Sequence, residues 1–290
     1  MKTALDCVPC FIHQALDLAR LVTEDAGEQK VMVRQALGLI HDLDYHKMPL
    51  ETGTSIHRLI SKISGNRDPY AALKKQYNTF ALKALPELRK TIMKSRDPFF
   101  PAALLTIAGN LIDFGLPHSM NEKKLEGEIT KALHENASRN MLEKLQEQIQ
   151  RASSVLYLGD NAGEIVFDKL FLEFFPAHKT TFCVRGAPIL NDATMEDAEL
   201  IGLTALVKVI DTGLDMPGVV LGKCSKAFQE AFKRADLIIS KGQGNYESLD
   251  DSSKNIFFLL KAKCPVIARE LGCAIGETVV RSTGKELKLL

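Results

Sequence analysis

No charge of one sign dominates this chain. Thirty-seven lysines and arginines stand against 36 aspartates and glutamates, so the totals supply no broad basic footprint for nucleic acid or an anionic membrane. Any anion must be met locally. No apolar run approaches the roughly 18 residues that a spanning helix needs, and the start MKTALDCVPC lacks the apolar core of a signal peptide, which predicts a cytoplasmic chain. Six cysteines in 290 residues are too few for a disulfide scaffold. Cys183, Cys224, Cys264 and Cys273 stand isolated in apolar company and read as buried packing. Internal repeats, low-complexity tracts and glycine-serine linkers are absent as well.

What is present falls into two halves with different periodicity. From Leu5 to about Gln150 the apolar spacing is helical, as in Phe11, Ala15, Leu18, Ala19 and Val22, then Val33, Leu37 and Ile40. Asp68-Pro69 and Asp97-Pro98 are helix starts, and Leu116-Pro117 is a stop. Glu122 to Gln150 reads as amphipathic surface helix. Near Ala152 the pattern changes to short β-branched runs separated by helical stretches: Val155–Leu158, Thr180–Val184, Ala205–Ile210, Leu237–Ser240 and Asn255–Leu260. The expectation is a helical domain over residues 1–150, followed by a Rossmann-like α/β/α domain with a mainly parallel sheet over 151–290.

Open parallel sheets bind ligands where the carboxyl ends of the strands meet the next helices. Three loops in that position carry unusual polar residues. In the first, Asp160 and Asn161 offer hard oxygen ligands, and Gly163 lets backbone amides at a helix start approach an anion, with Glu164 beside it. Helix capping is the bland alternative for Asp160 or Asn161. Gly159 and Gly163 do not make G-x-G-x-x-G, which argues against a dinucleotide. The second loop adds Asp192, with Arg185 as a fork for phosphate. The third places Lys241 at a strand end before Gly242 and Gly244, as a phosphate partner. Two acids and an amide suit a hard divalent cation that keeps waters and substrate phosphate in its shell. The resulting expectation is phosphate-ester hydrolysis by water, with Asp160, Asn161 and Asp192 holding the cation. Direct attack by Asp160 is the alternative, although Ala162 breaks the D-x-D-x-T arrangement usual for that route.

Taken together, Asp160-Asn161-Ala162-Gly163-Glu164, Arg185-Gly186 with Asn191-Asp192, and Lys241-Gly242-Gln243-Gly244-Asn245 resemble the damage-control phosphatase family, long catalogued as a domain of unknown function. Gly109-Asn110-Leu111-Ile112-Asp113 is similar to the family's G-N-x-x-D segment, and Cys7-Val8-Pro9-Cys10 to the N-terminal C-x-x-C of its prokaryotic subgroup. The resemblance covers essentially the whole chain. It implies a metal-dependent phosphatase of sugar phosphates or damaged phosphometabolites, served by manganese, cobalt, nickel or magnesium. It also implies that Asn110 and Asp113 reach the site from the helical half and that Lys241 touches phosphate.

Cys7 and Cys10 are half of a zinc site that no second C-x-x-C completes, and their purpose stays open. Two rival readings stand beside the phosphatase. One is a carboxyl methyltransferase using S-adenosylmethionine, an activity proposed for a related branch of the family. The other is a metal- or phosphate-binding module without turnover.

Overall fold

Helix chemistry sets the first third of the molecule. The computed structural model describes residues 1–109 and 139–284. The expected Asn110, Asp113 and Leu116-Pro117 lie outside the described residues. Helix α1 (Cys7–Val22) buries Phe11, Ala15, Leu18 and Ala19 along one stripe, as their spacing requires. The Asp25 carboxylate accepts from the N–H groups of Gly27 and Glu28 and so starts α2 (Ala26–His41). Pro49 opens α3 (Pro49–Ser64), and Gly65, at φ 70°, ends it in the left-handed region. These three helices close on a core of their own, with Met32, Ile56 and Ile60 against Phe11 and Leu18.

The next helices pack elsewhere. Helices α4 (Ala71–Met93), α5 (Phe99–Ala108) and α6 (Arg139–Arg151) share their core with one face of the sheet, where Ala81, Leu105 and Leu145 join Tyr157, Phe182 and Ile239. Eight of the ten residues of α5 are buried, as expected of a helix that is apolar all round.

Among the described residues the sheet has six strands in the order β3-β2-β1-β4-β5-β6. They are β1 (Val155–Leu158), β2 (Thr180–Val184), β3 (Lys208–Asp211), β4 (Leu237–Lys241), β5 (Ile256–Lys261) and β6 (Thr278–Ser282). The first five are parallel, and β6 runs antiparallel along β5 at the edge. Helix α7 (Glu164–Leu172) follows β1, and α8 (Met195–Leu200) follows β2. Helices α9 (Lys226–Arg234), α10 (Gln243–Leu249) and α11 (Pro265–Leu271) complete the set. Phe228, Phe232, Tyr246 and Ile267 from these last three cover the second face of the sheet, against Leu156, Ile238 and Phe258.

The α/β class with a mainly parallel sheet is as expected. Two details of the expectation need correction. The third strand starts at Lys208 rather than Ala205, because Leu206 and Val207 both donate backbone hydrogen bonds to the Leu203 carbonyl and are held in a turn. The edge strand β6 is an addition to the expected set, although the run Thr278-Val279-Val280 has the β-branched composition of a strand.

The strand order places the topological switch point between β1 and β4, whose connections leave in opposite directions. There the loop after β1 meets the start of the loop after β4.

Candidate functional site

A backbone stitch brings the first two loops together. Ala162 N–H donates to the Asn191 carbonyl at 2.9 Å, and Ala193 N–H donates to the Asp160 carbonyl at 2.8 Å. Asn161 and Asp192 thus form an isolated antiparallel bridge beyond the ends of β1 and β2. Leu190 accepts φ 47°, a left-handed conformation unusual for a leucine, in the turn that delivers Asn191 and Asp192. Asp160, Asn161 and Asp192 consequently line one cavity of about 1780 Å³, whose opposite wall is built by side chains of α1 and α4.

The carboxylates there are crowded. Asp160 is 7% exposed and Asp192 2%. Burial, together with the charges of Asp192 and Glu164, holds the Asp160 carboxyl well above the ordinary carboxylate range, against the opposing pull of Arg185 and Lys263. Arg185 lies between the two acids, with Nε donating to Asp192 Oδ2 at 2.6 Å and one terminal nitrogen 3.5 Å from Asp160 Oδ1. Its other terminal nitrogen donates to Asn245 Oδ1 at 3.0 Å. The Asn161 amide nitrogen donates to Asp160 Oδ2 at 3.0 Å and to Glu164 Oε2 at 3.2 Å, which leaves its carbonyl oxygen as the atom with ligand chemistry.

These donors fit a hard divalent cation. Two carboxylates and one amide oxygen make a partial shell of the kind magnesium and manganese accept, the rest being water and substrate oxygen. The mutual repulsion that raises Asp160 is what a cation would relieve. Among the described residues no group of three or more His, Cys, Asp or Glu side chains converges to hold a metal, so a third oxygen donor in this set would be the amide.

The third loop behaves differently from its expected role. Lys241 is fully buried and outside the cavity lining. Its ammonium donates to Glu164 Oε1 at 2.5 Å, Asp168 Oδ1 at 2.8 Å, and the Thr106 carbonyl and hydroxyl at 2.9 and 2.8 Å. Burial pushes Lys241 down, yet the charges of Asp168 and Glu164 outweigh it and hold the group above the usual lysine value. Tyr157 adds its own O–H to Asp168 at 2.7 Å. Arg185, expected to fork to phosphate, is likewise committed to Asp160 and Asp192. The Gly163 N–H, expected to face an anion, donates to Asn78 Oδ1 at 2.7 Å. Gly163 does need to be glycine, since φ is +80° and a Cβ would lie 2.9 Å from Tyr77 Cβ.

Gly242 and Gly244 are required for close approach to the protein itself. A Cβ on Gly242 would fall 1.9 Å from Asp160 Oδ2, and one on Gly244 would fall 1.9 Å from the Pro217 carbonyl. The loop after β4 therefore forms a wall directly behind Asp160.

Several residues here escape a reading of the sequence. Asn78 ties α4 to the first loop and donates to Asp197 Oδ1 at 2.8 Å. Its signal is a polar side chain spaced i, i+4 from Lys74 on a face that also buries Ala81. Lys263 lines the cavity, and its charge acts on Asp160. Thr106 and Asp168 carry no signal, because a threonine and an aspartate inside helical stretches read as surface.

The N-terminal Cys-x-x-Cys opens α1. Cys7 is buried in the helical core, and Cys10 lines the cavity. Cys264 corrects the packing expectation: it is only half-buried, lines the same cavity and accepts from Gln243 Nε2 at 3.5 Å. Cys273 is half-buried too, whereas Cys183 and Cys224 are buried as expected.

Comparison with known proteins finds relatives over nearly the whole chain. Residues 3–279 match the model of the damage-control phosphatase ARMT1-like domain. A damage-control phosphatase of Pyrococcus horikoshii is 36% identical over 96% of this chain and 97% of its own. One from Archaeoglobus fulgidus is 34% identical over 97% of this chain and 99% of its own. An uncharacterized protein of Methanocaldococcus jannaschii is 39% identical over 97% and 95%. The crystal structure of a DUF89 family protein from P. horikoshii superposes with a TM-score of 0.88, at 34% identity, covering 97% of this chain and 99% of that one. With the family match running from residue 3 to 279 and two relatives of that name matched over nearly their whole length, the chain belongs to the damage-control phosphatase ARMT1-like family and is a metal-dependent phosphatase.

Proposed function

We propose that the chain hydrolyses phosphomonoesters of small metabolites, sugar phosphates among them, with Asp160, Asn161 and Asp192 holding one divalent cation of the manganese, nickel, cobalt or magnesium kind. One observation carries the reading: the stitch between the loops after β1 and β2, which gathers those three oxygen donors in a single cavity. When bound, the cation draws charge from the phosphoryl oxygens and offsets its build-up in the transition state.

The chain's own residues supply the rest. Arg185 keeps Asp160 and Asp192 apart and partly neutralised, so both face the cavity without collapsing onto each other. Lys263 is the basic side chain beside Asp160 on the cavity wall, and we assign it the contact with phosphate that the sequence suggests for Lys241. Water attacks phosphorus as the bond to the ester oxygen breaks, the proton water gives up ends on the departing alcohol, and inorganic phosphate leaves with no bond formed to Asp160. The helical part, residues 1–150, caps the cavity and selects the rest of the substrate through α1 and α4. The part carrying the strands, residues 151–290, holds the metal. A small, phosphorylated, cytoplasmic metabolite fits within this cavity with room to spare. No helix among the described residues is long and apolar enough to cross a membrane.

The test is phosphate release from an aryl phosphate and a panel of sugar phosphates by metal-stripped protein, with each cation restored in turn. Turnover that returns with metal and distinguishes among the sugars supports the assignment. Folded protein that releases no phosphate with any cation would sink it and bring methyl transfer forward.

A further inference from the structure

An asparagine is an ambiguous metal ligand, because one end of its amide ligates and the other repels. At Asn161 the choice is made by what faces the nitrogen. Its two N–H groups go to Asp160 Oδ2 and Glu164 Oε2, so the oxygen is the end left for a cation. Glu164 serves there as a fixed acceptor because its carboxylate is held in place from the other side. It is fully buried, and its second oxygen takes a hydrogen bond from Lys241 at 2.5 Å. Lys241 is in turn held by Asp168 and by both oxygens of Thr106.

We infer that Lys241 and Glu164 form an orientation device: they are positioning residues that keep the carbonyl oxygen of Asn161, rather than its nitrogen, turned to the metal. The inference rests on the ligand set proposed above. It gives the buried lysine of the third loop a purpose other than touching phosphate, and it explains why a fully ionic pair sits where water does not reach. A lysine–carboxylate pair sealed this way costs desolvation. A polarity that must not invert is a reason to keep it.

Removing the ammonium directly, as in Lys241→Met, leaves two buried carboxylates without its charge, and the protein is expected to lose much of its stability, which would obscure any effect on the metal. Glu164→Gln is the informative change. Lys241 can donate only to the oxygen of the new amide, so that amide's nitrogen must face Asn161, whose own amide then turns over and presents N–H groups to the cation. Adding Asn161→Asp removes the ambiguity, since a carboxylate offers an oxygen on both sides: one accepts from the amide introduced at position 164 and one ligates.

The measurement is direct Mn²⁺ binding to metal-free protein, read from the electron paramagnetic resonance signal of the free ion, with a thermal melt of each variant to show folding. Glu164→Gln should weaken binding at least about tenfold. Asn161→Asp in that background should restore it to within about threefold of the wild type. In the wild-type background the same change should bring no gain, because it sets a second carboxylate against Glu164. Undiminished binding by Glu164→Gln, or an equal gain from Asn161→Asp in both backgrounds, would overturn the orientation device while leaving the ligand set standing. Wild-type protein that binds no Mn²⁺ would overturn both.

Discussion

Two clusters of charge lie one side chain apart in this molecule, and they are built for opposite purposes. Asp160 and Asp192 line a cavity, share Arg185 and repel each other. Lys241, Glu164 and Asp168 are sealed between α5, α7 and β4, with the ammonium meeting two carboxylates and a threonine at 2.5–2.9 Å. In the open cluster burial and neighbouring charge hold the Asp160 carboxyl well above the ordinary carboxylate range, which a cation would offset. The sealed one carries its own cation, which makes it a frame. Glu164 belongs to both, because its two oxygens look in different directions. Composition alone does not separate ligand from scaffold; whether the charge is already answered does.

Asp160→Ala breaks the open cluster and should have the largest effect on function. Metal-restored turnover should fall on the order of 10³-fold or more, with circular dichroism and the melting transition little changed. A variant that keeps its turnover would remove Asp160 from the chemistry.

Lys241→Met breaks the sealed cluster and should act on folding first. Stripping the counter-charge from two buried carboxylates is expected to cost about 3–5 kcal/mol, read as a lowered denaturant midpoint. Loss of activity with unchanged stability would instead mean that Lys241 works on substrate.

That contrast marks the limit of what the sequence makes legible. Strand ends and their polar loops are readable, because short β-branched runs such as Val155–Leu158 and Leu237–Ser240 are soon followed by Gly159 and Gly242. Alternation and topology alone therefore put Asp160, Asn161 and Asp192 on one rim. What faces Lys241 is not readable. Its partners Thr106, Glu164 and Asp168 come from two helices whose approach is set by packing against the sheet, and nothing in their local spacing announces it. A lysine at a strand end looks the same in sequence whether it points into a cavity or into the core. Asn78 shows the intermediate case: the helix periodicity marks it as inward-facing, but only the fold shows that it meets Gly163.

Gly242→Ala probes the wall behind the open cluster. At φ +77° with ψ 168° the position is almost closed to any other residue, and the added carbon would sit 1.9 Å from Asp160 Oδ2. Asp160 or the loop must shift. The expected result is a loss of about 10–100-fold in kcat/KM and about 1–3 kcal/mol in stability. Normal kinetics would mean that the loop yields and Asp160 does not depend on it.

The smallest effect sharpens the comparison most. Burial, Asp192 and Glu164 raise the Asp160 carboxyl above its unfolded value, so the folded protein binds that proton more readily than the unfolded chain does. Ionisation therefore works against folding: metal-free wild-type protein should lose stability as pH rises from the ordinary carboxylate range through the raised folded value. Asp160→Asn has nothing to ionise there, and Arg185 keeps Asp192 as its partner at 2.6 Å. At neutral pH the metal-free variant should melt above the wild type, and the difference should vanish in acid. Saturating Mn²⁺ should reverse the order, since the wild type gains binding free energy and the variant gains far less. Melting curves with and without Mn²⁺ across pH would show the crossing. If the metal-free variant is instead the less stable at neutral pH, Asp160 is already satisfied by its neighbours, and the open cluster is a frame like the sealed one.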